Sequence, residues 1–327
     1  MNADYTITGN NFCWTFTFVV RRIHAMSDLR QPAEELFGTN LVAMATPMRP
    51  GGDLSVSDVG SLVDHLLAKG CDGIVVAGTT GESPTLTEAE TTALVQVVKG
   101  RAGNRAKVIV GVGTYDTAAT VRRAQDAEGA GADALLLVCP YYSLPTQAGV
   151  IAHGLTVADA TALPVMLYDV PARTGTPMDT TSIVELAAHP NIRAIKDAKG
   201  DLLEAMSIME RTSLAYYCGI DELNLAYLAC GAAGVLSVVG NVAADRTAAL
   251  IAAVRVGDLE SARKIQTSLL GLTDAIMRTS QGAIMIKAAL AQLGIITHPT
   301  VRLPLVESPT ADLDKLNAAL TPLAICA

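Results

Sequence analysis

From about Asn40 onward, short apolar runs alternate with longer segments of helical period. The runs predict strands at Leu41–Ala45, Gly73–Ala77, Val108–Val112, Ala134–Val138, Val165–Tyr168, Ile192–Lys196, Leu214–Cys218 and Val235–Val238. The segments between them predict helices near Val56–Lys69, Glu88–Lys99, Ala118–Gly129, Gln147–Ala160, Thr181–Ala188, Leu202–Glu210, Glu222–Cys230 and Ala244–Val256. The runs are almost continuously apolar, as strands covered on both faces must be. Strands alternating with helices build a parallel sheet. Start and stop residues punctuate the pattern: Ser57 with Gly70, Thr87 with Gly100, Asp221 with Gly231.

Eight such units suit an α/β fold, a (β/α)8 TIM barrel of the usual ~250 residues, over residues 36–257. Residues 258–327 carry no strand pattern and read as a C-terminal helical extension, with helices expected at Leu259–Met277, Gly282–Leu293 and Ala311–Leu323. A doubly wound open sheet would carry a glycine-rich turn after its first strand. Here Thr46-Pro47-Met48-Arg49-Pro50 occupies that place, and Gly111-Val112-Gly113 lacks the third glycine. Residues 1–35 read as an N-terminal extension, expected to be disordered, with Met26 as an alternative start. Its apolar stretch Phe12–Val20 precedes Arg21-Arg22, the reverse of a secretory signal.

Composition removes several function classes. The net charge is −8 and there is no basic stripe, so no nucleic acid is expected as a partner. The six cysteines form no C-x-x-C and the five histidines form no cluster, so neither a disulfide framework nor a metal site is expected. The apolar runs are too short to span a membrane. A cytoplasmic enzyme without a metal is the expectation.

In a barrel, chemistry gathers at the C-terminal ends of the strands. The sixth predicted strand ends on Lys196, within Ala194-Ile195-Lys196-Asp197-Ala198. Burial there disfavours an ammonium, and a neutral amine is a nucleophile that forms Schiff bases with ketones and aldehydes. Of the eight lysines, Lys69, Lys99, Lys264, Lys287 and Lys315 fall in or at the ends of polar-faced helices, Lys107 starts a strand and Lys199 follows one. Only Lys196 closes a strand. The alternative is a lysine that snorkels to solvent or pairs with a carboxylate.

The second strand ends in Gly78-Thr79-Thr80-Gly81-Glu82-Ser83. Backbone N–H groups and hydroxyls there can converge on a carboxylate, or the segment is only a turn before a capped helix. Tyr168 ends the fifth strand beside Lys196, where a phenol can shuttle protons or serve as a core tyrosine. Arg173 follows in a Pro/Gly-bounded loop, as a carboxylate clamp or as a surface ion pair. Together these groups describe a class I aldolase acting on a 2-oxo acid.

Gly78-Thr79-Thr80-Gly81-Glu82-Ser83, Pro140-Tyr141-Tyr142, Tyr168-Asp169-Val170-Pro171-Ala172-Arg173-Thr174-Gly175 and Ile195-Lys196-Asp197-Ala198 resemble the pyruvate-dependent class I aldolase family. Its members include N-acetylneuraminate lyases and dihydrodipicolinate synthases. The likeness runs from about Phe37 to the C-terminus. Arg173-Thr174-Gly175 is similar to the dihydrodipicolinate synthase branch, and the stretch Asp197–Leu202 to its actinobacterial members.

The resemblance implies a Schiff base between Lys196 and pyruvate, with no metal or organic cofactor. It implies that Thr80 and its loop hold the pyruvate carboxylate and that the Leu236 main chain lies close to it. It further implies a proton relay of Tyr168, Thr79 and Tyr142, with Tyr142 reaching into a neighbouring subunit, and an Arg173 that binds the carboxylate of L-aspartate 4-semialdehyde. A homo-oligomer, expected to be a tetramer, follows. Two features depart from the family pattern. Cys218-Gly219-Ile220-Asp221 replaces a more usual Gly-Asp-Asp. Glu88, Thr91, Tyr115 and Ala119 stand where lysine-regulated members carry polar anchors, implying weak or absent inhibition by lysine. A sialic-acid or 2-keto-3-deoxy-sugar-acid aldolase and a non-catalytic oxo-acid sensor are the alternatives.

Overall fold

Eight parallel strands close on themselves in sequence order. They are β1 Asn40–Ala43, β2 Gly73–Val76, β3 Lys107–Gly111, β4 Ala134–Val138, β5 Val165–Asp169, β6 Ile192–Asp197, β7 Ala215–Cys218 and β8 Gly234–Ser237. Strand β1 pairs with both β2 and β8, which removes any free edge. The computed structural model describes residues 32–324, so most of the expected N-terminal extension, with Met26, lies outside the described residues. Among the described residues, no helix is long and apolar enough to cross a membrane.

The expected alternation is present; most boundaries shift by no more than two residues, but the helix from Glu88 ends three residues later than expected and the helix expected from Ala244 starts four residues earlier. Helices run over Val56–Ala68, Glu88–Ala102, Thr117–Gly129, Gln147–Asp159, Thr180–Ala187, Leu202–Arg211, Asn224–Ala229 and Gly240–Arg255. Three more follow, at Leu259–Met277, Gly282–Gln292 and Thr310–Ala324. Where the expectation differs, local chemistry explains it. The helix from Glu88 runs through Gly100 and stops at Gly103, whose φ of +58° only glycine adopts without strain. Its start is as expected, because Thr87 and Glu90 form a reciprocal capping box. Ser57 lies inside its helix, behind the N-cap Ser55. Asp221 opens a single 3-10 turn, Asp221–Leu223, ahead of a six-residue helix. Arg173, expected in a loop, belongs to the short helix Pro171–Thr174, which opens on a proline and ends at Gly175.

The period of two along each strand sorts the core into two layers. Ala43, Val75, Leu136, Met166, Tyr168, Ala194, Tyr217 and Leu236 cluster inside the barrel. Val42, Ile74, Val110, Leu137, Leu167 and Ile195 point the other way and pack under the helices. Side chains two apart share a face, so Lys196 follows Ala194 to the inside. It lies near the mouth, one residue before β6 ends at Asp197 rather than at the strand's last position.

One lysine assignment fails. Lys287 was expected on a polar-faced helix, yet Gly282 to Leu290 are all buried and Lys287 is fully so. The helix Gly282–Gln292 is enclosed nearly all round, and its single lysine is neutralised by Glu82.

Candidate active site

Strands β5 and β6 pair Tyr168 with Lys196 and Asp169 with Asp197. The first pair faces the barrel interior and the second faces the helices. Lys196 is 5% exposed, and its Nζ lies 4.2 Å from the centre of the Tyr168 ring. Among the described residues no carboxylate lies within ion-pair distance of it, which disposes of the snorkelling and paired readings. Gly219, at the exit of β7, packs directly on this lysine. A Cβ at Gly219 would stand 2.7 Å from Lys196 Cε and 2.9 Å from the Asp197 carbonyl oxygen.

Behind the wall, a polar network fixes the two strand ends. Asp197 Oδ2 accepts from the hydroxyls of Tyr216 and Tyr227, each at 3.0 Å. Its Oδ1 accepts from the Lys199 N–H at 2.7 Å and the Gly200 N–H at 3.3 Å. Burial, reinforced by this carboxylate, pushes both phenols well above their ordinary range. Lys199 bridges Asp169 at 3.3 Å and Glu204 at 2.6 Å. Burial raises the Asp169 carboxyl to about 6 despite the nearby ammonium. Each of the two inward groups is therefore followed by an anchored outward carboxylate.

The loop after β2 carries Thr79 and Thr80. The N–H groups of Gly81, Glu82 and Ser83 turn back onto the carbonyls of Gly78 and Thr79. The expected anion cradle is thus mostly a closed turn. Among the described residues, the N–H groups of Gly78, Thr79 and Thr80 within that turn have no backbone acceptor. Both threonines line the cavity, and Thr80 is 5% exposed. Two outside anchors hold the turn. Thr46 Oγ1 donates to the Gly81 carbonyl at 2.7 Å. Glu82, at φ +56°, pairs with Lys287 and accepts from the Arg302 N–H at 2.9 Å.

At the end of β8, the carboxylate of Asp221 accepts from the N–H groups of Val238 and Val239 at 3.0 and 3.1 Å, and from the Ser237 hydroxyl. Asn241 ties the exits of β1 and β8, accepting from the Ala45 N–H at 3.0 Å and donating to the carbonyls of Ala43 and Val238. Leu236 is fully buried in the barrel interior, and Val238 rather than Leu236 lines the cavity.

These elements line a cavity of about 210 Å³ that opens at the mouth. It brings together Lys196, Tyr168, Thr79, Thr80 and Arg173. Arg173 is exposed; its backbone N–H donates to the Val170 carbonyl at 2.8 Å, and its guanidinium meets no acceptor among the described residues. Tyr142 is not brought in: it is 89% exposed, at φ +69°, outside the cavity lining. Sequence reasoning missed Glu222, Arg278 and Gln281, which line the mouth. Two of these come from the helical segment beyond the barrel, and no strand-end rule reaches them. Among the described residues, no group of three or more His, Cys, Asp or Glu could hold a metal ion.

Comparison with known proteins places this arrangement. A model of the dihydrodipicolinate synthetase family matches residues 36–323. A Kineococcus radiotolerans 4-hydroxy-tetrahydrodipicolinate synthase is 46% identical over 284 residues, covering 87% of this chain and 92% of the relative. The Mycolicibacterium paratuberculosis synthase of that name is 47% identical over 294 residues, covering 90% and 97%. A crystal structure of the Acinetobacter baumannii dihydrodipicolinate synthase, complexed with pyruvate, superposes with a TM-score of 0.83 at 33% identity, covering 86% of this chain and 97% of that one. A match over nearly the whole length, on a closed barrel of the same shape, makes this chain a member of the dihydrodipicolinate synthetase family.

Proposed function

We infer that this chain is a lyase of the class I aldolase type that makes 4-hydroxy-tetrahydrodipicolinate, a step of lysine and diaminopimelate biosynthesis, from pyruvate and L-aspartate 4-semialdehyde. The observation that carries the mechanism is the inward Lys196–Tyr168 pair, a buried amine with no carboxylate partner against a phenol. Lys196 adds to the ketone carbon of pyruvate, and water leaves as the Schiff base forms. Loss of a methyl proton gives the enamine. The enamine carbon bonds to the aldehyde carbon of the second substrate, whose oxygen is protonated. The α-amine of that substrate then attacks the Schiff-base carbon, closes the ring and releases Lys196.

Tyr168 lies beside the reacting nitrogen and suits the proton transfers, with Thr79 in the same cavity. Thr80 and the free N–H groups of its turn suit the pyruvate carboxylate. The open guanidinium of Arg173 suits the carboxylate of the aldehyde in a bidentate pair. Tyr142 completes the relay only from a second subunit, so the active unit is at least a dimer, and we propose a homotetramer. The covalent Schiff base takes the place of a cofactor.

The test is turnover of pyruvate with L-aspartate 4-semialdehyde, coupled to a reductase that consumes the product. Turnover in the wild type that Lys196→Ala abolishes is the expected result. Turnover confined to N-acetylmannosamine or another sugar-type aldehyde would overturn the assignment in favour of a sugar-acid aldolase. Glu88 and Thr91 line a cavity outside the barrel, and Tyr115 is 61% exposed. None of them is an enclosed anchor for an amino acid, so lysine is expected to leave the initial rate unchanged below millimolar concentration. Strong inhibition in that range would contradict this.

A further inference from the structure

Two charged groups at the cavity mouth have no part in the chemistry above. Glu222 lies in the turn after β7, and Arg278 caps the helix Leu259–Met277. They form an ion pair at 3.3 Å between Arg278 Nη2 and Glu222 Oε1. Both line the cavity that holds Lys196 and Arg173. The neighbouring acid, Asp221, is committed to two backbone N–H groups, the Ser237 hydroxyl and the Asn224 amide. Glu222 Oε2 accepts nothing among the described residues. Glu222 therefore supplies the lining carboxylate with a free oxygen, as Arg173 supplies the open guanidinium. The two belong to the exits of β7 and β5, on either side of the strand that carries Lys196.

Resting on the reading of the reaction given above, we propose that Glu222 receives the α-ammonium of the aldehyde substrate while Arg173 takes its carboxylate, with Arg278 as the positioning residue that holds Glu222. The mouth then recognises the amino-acid end of a zwitterionic aldehyde. A sugar-type aldehyde offers hydroxyls there and leaves both charges unpaired, which costs affinity. Ile220 beside Glu222 offers no charge of its own, so this carboxylate alone distinguishes an amino aldehyde from its deaminated counterpart.

The experiment uses the full chain and two four-carbon aldehydes, L-aspartate 4-semialdehyde and succinate semialdehyde. The second keeps the carboxylate and lacks the amine. The readouts are KM for the first, the inhibition constant of the second, and the thermal midpoint. A charge-assisted hydrogen bond lost from a bound ammonium predicts a KM about tenfold or more higher in Glu222→Gln. The inhibition constant of succinate semialdehyde is expected to stay within about twofold. Arg278→Gln is expected to raise the same KM in the wild-type background and to add nothing to Glu222→Gln.

An unchanged KM in Glu222→Gln overturns the proposal. So does an equal loss for both aldehydes, which a merely structural role produces. Additive effects of the two substitutions overturn the positioning role of Arg278. A wild type that forms the pyruvate Schiff base yet does not turn over L-aspartate 4-semialdehyde overturns the underlying reaction, and this inference with it.

Discussion

Removing the ammonium of Lys287 isolates the link between the helical segment and the turn that carries Thr79 and Thr80. Its side chain is fully buried and that of Glu82 is 1% exposed. Lys287 Nζ also donates to the Thr300 carbonyl at 2.7 Å. Burial pulls the lysine below its ordinary range, and the Glu82 carboxylate opposes that shift. Lys287→Met keeps the volume and leaves Glu82 buried without its counter-charge. Breaking a buried pair from one side costs about 3–5 kcal/mol. Glu82 lies two residues beyond Thr80 in a left-handed conformation, so strain at Glu82 is transmitted to the turn proposed to hold the pyruvate carboxylate. Denaturant unfolding should show a loss of that size, and KM for pyruvate should rise while KM for the aldehyde moves less. The double variant Glu82→Gln/Lys287→Met removes both charges and retains an acceptor for the Arg302 N–H. It should recover stability to within about 1–2 kcal/mol of wild type. A single variant that loses less than about 1 kcal/mol, or a double variant as unstable as the single, would refute the reasoning.

Two further outcomes follow from the packing around the strand ends. Gly219→Ala places a methyl 2.7 Å from Lys196 Cε and 2.9 Å from a backbone oxygen that cannot yield cheaply. Overpacking of this kind costs about 1–3 kcal/mol, and a displacement of about 1 Å at a reacting group costs on the order of 100-fold in rate. Steady-state kinetics showing kcat/KM within about threefold of wild type would contradict this. Asp169 titrates at about 6 in the folded chain against 3.8 for the free side chain. The folded state therefore holds a proton that the unfolded state releases, and the contribution of this group is most favourable below about pH 4 and is lost as pH rises through about 6. The gap is worth about 3 kcal/mol. Asp169→Asn should flatten the pH dependence of the thermal midpoint between pH 4 and 7, and an unchanged slope would count against the assignment.

The period of the apolar runs was sufficient to read the barrel, because strands buried on both faces leave little else for such runs to do. The same period reads the heart of the site. Ala194 and Lys196 are two apart, as are Met166 and Tyr168, so Lys196 and Tyr168 each follow an apolar neighbour into the interior. Local competition was not legible. Gly100 and Gly103 are equally good stops on paper, and the backbone chose the one at positive φ. Tertiary pairing was legible only in hindsight. Lys287 is flanked by Ile284, Met285, Ile286 and Ala288, a pattern that already argues against a solvent-facing side, but its partner Glu82 lies 205 positions away. Glu222 and Arg278 meet across 56 positions for the same reason. The exposed, left-handed Tyr142 looks in the sequence like any residue at a strand end, and a single chain gives it no contact with the cavity.

The proposed mechanism turns on a covalent bond between Lys196 and pyruvate. Borohydride reduction in the presence of pyruvate, followed by peptide mass mapping, tests it without any aldehyde. A reduced pyruvate adduct is expected on the peptide carrying Lys196, absent when Lys196 is replaced by alanine and present in Arg173→Ala. An adduct on Lys199 or Lys287 in its place, or no adduct at all in a folded wild-type protein, would contradict it.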